Sequence, residues 1–121
     1  VEDALIRWFT DVFRTNDLHT LNKIRQWVKA NDKNIYPDIY QVLVSGVDEL
    51  VAPEPPISCP ALVMTGDEDY GNNADMSAAI AAEIPDAQLT ILNGLRHMAM
   101  MEDPDRFNQE LVDFLAIHHS I

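Results

Sequence analysis

With 121 residues the chain is one domain's worth of polypeptide, and its 47% hydrophobic and 23% charged residues are the balance of a folded rather than a disordered segment. Twenty acidic residues against eight basic ones leave a net charge of −12, and Lys and Arg do not cluster, which argues against nucleic acid and anionic membrane surfaces as partners. A single cysteine, Cys59, excludes an internal disulfide framework and suits a reducing, cytoplasmic setting; placed before Pro60 and an apolar run, it is expected to be a buried structural thiol.

Residues 1–50 carry helical periodicity. Leu5, Trp8, Phe9, Val12 and Phe13 recur at spacings of three and four, and Leu18, Leu21, Ile24, Trp27 and Val28 form a second stripe. Pro37 is placed as the first residue of a third helix over 37–50, with Ile39, Val42, Leu43, Val47 and Leu50 on one face. Three amphipathic helices without intervening strands read as a lid or small bundle, with Trp8 and Trp27 in its core. Residues 51–60, VAPEPPISCP, hold four of the seven prolines and read as an extended connector.

The period then changes. Ala61 to Met64 is a short apolar run closed by Thr65-Gly66, read as a strand buried on both faces. Residues 73–84 form an alanine-rich helix with an Asn or Asp cap, stopped before Pro85. Ala87 to Leu92 is a second strand closed by Asn93-Gly94, and Pro104 to about His119 is a helix with Phe107, Leu111, Phe114 and Leu115 turned inward. Strand, helix, strand, helix is a βαβ unit with parallel strands, so the fold class is α/β. Two buried parallel strands ask for neighbours, which predicts a homo-oligomer or pairing with a further segment.

Functional groups of open α/β sheets collect in loops at the carboxyl ends of strands. Here those loops are Gly66 to Asn72 and Asn93 to Met98, and adjacent parallel strands set them side by side. An acid from the first can therefore meet His97 from the second, taking the imidazole Nδ1–H and stabilising the ring once Nε2 accepts a proton. Asp69 is three residues past Gly66, where the loop has cleared the strand, and Asp67 is the alternative acid. Glu68 reads as solvated, and Met98, Met100 and Met101 as packing near the pocket mouth. The same acidic loop fails as a calcium site, because the positions that need Gly and Glu hold Asn72 and Ala78. His118-His119 are helical neighbours that do not face one way, so no metal is implied.

These stretches, PALVMTGDEDYGN and GLRHMAMMEDPDRFNQELVDFL, resemble the closing segment of the α/β-hydrolase superfamily, with Glu102, Pro104 and Phe107 matching its E-x-P-x-x-F stretch. RWFTDVFR, the helix over 37–50 and Asp48 are similar to the cap of 3-oxoadipate enol-lactonase-like hydrolases. The resemblance implies a partial α/β-hydrolase fold: a cap segment over 1–50, the connector 51–60, and a C-terminal core segment over 61–121. It further implies Asp69 and His97 as triad acid and base, a small-molecule ester or lactone substrate, and no cofactor. It also implies a nucleophile on a G-x-S-x-G elbow ahead of both. Neither Ser45, Ser58, Ser77 nor Ser120 has glycines two residues away on both sides. The expectation is thus the C-terminal half of an esterase or lactonase, inactive alone and beginning at a processed or fragment end. The alternative is a stand-alone, self-associating interaction module. No basic segment leads into an apolar run, so no secretory leader or membrane span is expected.

Overall fold

A computed structural model describes residues 1–118, so the expected end of the last helix at His119, together with Ser120, lies outside the described residues. Residues 1–50 form four helices rather than three: α1 (Glu2–Trp8), α2 (Asp11–Asn16), α3 (Leu18–Ala30) and α4 (Tyr36–Leu50). The first expected helix is broken because Phe9 and Thr10 are extended, and the Thr10 hydroxyl accepts the Phe13 N–H to cap α2. Asp17 caps α3 in the same way through the Thr20 N–H.

The break changes which residues share a face. Leu5, Phe9, Leu21 and Ile24 are buried together, with Trp8, Phe13, Val28, Met98 and Met101 packed against them, and Phe9 stacks on Phe13 at 5.0 Å. Val12, in phase with Leu5 only in an unbroken helix, is instead 71% exposed. Leu18 and Trp27 also leave the expected stripe for solvent, and the Lys23 ammonium sits 4.9 Å from the Trp27 ring centroid. Pro37 is the second residue of α4, and the whole stripe of Ile39, Val42, Leu43, Val47 and Leu50 is exposed.

Between Leu50 and Ala61 there is no helix or strand, as four prolines dictate. Cys59 lies exposed in this segment, contrary to the expected buried thiol, because it precedes β1 on the extended connector and no buried cluster of the described residues includes it. The remainder is β1 (Ala61–Gly66), α5 (Ala74–Glu83), β2 (Ala87–Leu92), α6 (Ala99–Glu102) and α7 (Pro104–His118). The strands pair in parallel, from Ala61 opposite Ala87 to Gly66 opposite Leu92, and Asn73 caps α5 through the Met76 N–H.

Residues 61–64 are only half-buried, although their apolar run was expected to be covered on both faces; among the described residues the sheet ends at two strands. Around its carboxyl end Leu92, Leu95 and Ala99 are buried, with Phe107 against them. On α7 only Phe114 is buried; Phe107 is half-buried, and Leu111 and Leu115 are exposed. The separate turn α6 was not anticipated: Asp103 leaves the helical path and caps α7 through the Arg106 N–H. No helix of the described residues is long and apolar enough to cross a membrane.

Candidate active site

The two loops at the carboxyl ends of β1 and β2 are zipped together by backbone. Asp67 N–H donates to the Leu92 carbonyl at 3.2 Å and Glu68 N–H to the Leu95 carbonyl at 3.0 Å. Gly66 makes this approach possible, since a Cβ there would lie 2.1 Å from the Leu95 carbonyl oxygen. Asp67, the alternative acid, turns its carboxylate to the Gly94 N–H at 2.7 Å, and Gly94 takes the left-handed φ of +75° that the second loop requires.

Asp69 is 6% exposed, and its two oxygens have different partners. Oδ1 accepts the N–H groups of Gly71 at 2.8 Å and Asn72 at 3.0 Å, while Oδ2 lies 2.8 Å from His97 Nδ1. Burial raises the pKa of this carboxyl, but the Asn72 N–H, the His97 ring and the Gly71 N–H together outweigh it, holding Asp69 below the usual carboxylate value. The Thr65 hydroxyl, donating to the Asn72 carbonyl at 2.7 Å, anchors the loop from the strand side. An ionised Asp69 makes Nδ1 the protonated nitrogen of neutral His97, which leaves Nε2 as a base. The His97 side chain keeps 39% of its surface exposed.

That surface opens onto a cavity of about 870 Å³, whose opposite wall comes from the helical region: Arg7 and Trp8 of α1, Lys33, and Tyr36 and Tyr40 of α4. Trp8 thus serves both the core and the wall, whereas Trp27 serves neither. Sequence reasoning did not find Arg7, Lys33, Tyr36 or Tyr40. The i, i+4 spacing of the tyrosines, which stack at 6.3 Å, was the available signal for one of those faces.

Ser45 and Ser58 are exposed on α4 and the connector, and Ser77 is buried in α5. Among the described residues no hydroxyl or thiol hydrogen-bonds to His97, whose ring partner is Asp69. Nor, among them, do three His, Cys, Asp or Glu side chains converge as a metal would need. The geometry therefore sets a histidine ring, oriented by a carboxylate, against a cavity.

No family model matches the chain. It is 25% identical over 119 residues to the (E)-2-((N-methylformamido)methylene)succinate hydrolase of Acinetobacter baylyi, a match covering 95% of this chain and 43% of that protein. It is 39% identical over 60 residues to the 2-hydroxy-6-oxononadienedioate/2-hydroxy-6-oxononatrienedioate hydrolase of Cupriavidus pinatubonensis, covering 50% of this chain and 21% of that one. A solved thermophilic esterase aligns with 50% of this chain and 24% of its own, at 33% identity and a TM-score of 0.49. The chain spans less than half the length of the curated relatives it matches.

Proposed function

Since the chain carries a partial α/β-hydrolase fold, we propose that it is the C-terminal part of an ester or lactone hydrolase, with Asp69 as orienting acid and His97 as general base. The observation that carries this reading is the 2.8 Å contact of Asp69 Oδ2 with His97 Nδ1, at adjacent carboxyl ends of parallel strands. His97 Nε2 takes the proton of a nucleophile supplied by the preceding segment of the enzyme and later returns it to the leaving group. Asp69 stabilises the imidazolium between those two events. Residues 1–50 act as the cap, and the cationic Arg7 and Lys33 on the cavity wall suit a substrate bearing a carboxylate. The relatives named above are hydrolases of a substituted succinate and of nonadienedioate or nonatrienedioate, which are dicarboxylates.

The chain alone is expected to hydrolyse p-nitrophenyl acetate no faster than His97→Ala; turnover that His97→Ala abolishes would reveal a nucleophile within these residues. Sequencing the coding DNA upstream of Val1 tests the larger claim, because it should continue into a G-x-S-x-G elbow. In that longer protein His97→Ala should lower kcat by roughly 10⁴-fold or more. A start codon adjoining Val1 would favour a second reading, that of a self-associating module. The exposed stripe of α4 and, among the described residues, the two outer strand edges support that reading. A clean monomer by light scattering at micromolar concentration would exclude it.

A further inference from the structure

His97 is flanked by two residues that are both tied to the junction of α1 and α2, some ninety positions earlier in the chain. Behind it, the Arg96 guanidinium is 7% exposed and its Nη1 lies 2.9 Å from the Ile6 carbonyl, 3.0 Å from the Phe9 carbonyl and 3.3 Å from Asp11 Oδ1. Its Nη2 is 3.5 Å from Glu68 Oε2, and the group sits 4.7 Å over the Tyr70 ring. Ahead of it, Met98 N–H donates to the Trp8 carbonyl at 2.9 Å. A third tie runs through Glu102: one oxygen accepts the Thr10 N–H and the other the Arg96 N–H at 2.7 Å.

We propose that Glu102 and Arg96 are positioning residues that bind the His97 loop to the α1–α2 junction, so that the base and the helical wall of the cavity hold one fixed spacing. The chemistry suits the task. The carbonyls at the end of α1 have no partners within the helix, and a guanidinium supplies several donors in a rigid fork. A carboxylate has two oxygens, so Glu102 can satisfy two backbone donors from segments 86 residues apart with one side chain. Burying a cation beside a half-buried carboxylate is a poor route to stability compared with apolar packing, which Met98, Met101 and Leu95 already provide here. What these two side chains add is direction: with Arg96 and Met98 both committed to residues 6–11, the His97 ring is left to face Asp69 and the cavity. This assignment rests on His97 being the base of a hydrolase site.

The test is solution NMR of the full chain. Wild type should show a low-field imidazole Nδ1–H resonance that Asp69→Asn removes. Glu102→Ala should broaden that resonance beyond detection and speed amide exchange at Thr10 and Arg96 at least tenfold relative to the β2 amides, with the circular dichroism retained. Glu102→Gln, which keeps one acceptor, should restore part of both signals. Leu21→Ala, a core variant, should lower protection evenly and keep the Nδ1–H resonance. An unchanged Nδ1–H resonance and unchanged Thr10 and Arg96 exchange in Glu102→Ala would overturn the proposal, and so would an even loss like that of Leu21→Ala. Should Glu102→Ala fail to fold, Glu102→Gln and Arg96→Lys decide on the same two readouts. A wild type lacking any Asp69-dependent low-field resonance would instead count against the hydrolase-site reading, while amide exchange still decides whether Glu102 ties the loop.

Discussion

Gly66→Ala isolates the contact that brings the acid and histidine loops together. A Cβ at this position would lie 2.1 Å from the Leu95 carbonyl oxygen, 2.5 Å from the Leu95 carbonyl carbon and 2.8 Å from the Arg96 carbonyl oxygen, where ordinary contact begins at 3.4 Å. All three obstacles are backbone, so no side chain can rotate away; either β1 or the His97 loop must shift by about an ångström. Overpacking of this kind costs typically 1–3 kcal/mol, and backbone obstacles place Gly66→Ala at the upper end, near 3 kcal/mol. Against a total stability of about 5–15 kcal/mol this is a large fraction. With a urea m-value of about 2 kcal/mol/M, the unfolding midpoint should fall by roughly 1.5 M. Urea titration by circular dichroism measures the shift. The same movement would part Asp69 from His97, so any low-field Nδ1–H signal should weaken as well. A midpoint within about 0.3 M of wild type, less than 1 kcal/mol at that m-value, would refute the reasoning.

Asp69 has its folded pKa below the unbound value, so its ionised form stabilises the fold above about pH 4 and that contribution is lost as pH falls through the depressed value. Urea melts from pH 3 to 7 should therefore show a shallower acid limb for Asp69→Asn than for wild type, and parallel curves would contradict this. Phe9 is fully buried, so Phe9→Ala should cost about 3–5 kcal/mol, while Val12→Ala at a 71% exposed position should stay within about 0.5 kcal/mol. Equal losses in denaturant melts would mean the helix is unbroken at Thr10. If the α4 stripe mediates self-association, Val42→Lys with Leu43→Lys should move the light-scattering mass to the monomer with little change in stability, since both side chains are exposed.

Local rules carried far along this chain. Prolines placed the connector, Asn73 and Pro85 bracketed α5, and the strand expected over Ala87 to Leu92 matched β2 residue for residue. Parallel pairing then implied that the loops holding Asp69 and His97 would be neighbours, and the structure brings their side chains to 2.8 Å. These features depend on a few adjacent residues or on a topology with one hand, so a sequence suffices to reveal them.

Other features depend on partners far away in the chain. Periodicity identified the apolar face of α4 but could not say whether anything covers it, because covering is a property of another segment. Asp67 and Asp69 were both candidates until the Gly94 N–H claimed one and His97 the other. The break at Thr10 is stabilised by the Glu102 carboxylate 92 residues later, and Arg96 reaches back to Ile6 and Phe9. The sequence by itself determined the connector, both strands, α5 and the placing of an acid and a histidine at one edge of the sheet, but not the breaks that set α1 apart from α2 and α6 from α7. Only the tertiary structure decided which acid touches His97, what wall faces it and what holds the two apart, since those rest on contacts whose partners meet only after the chain has folded.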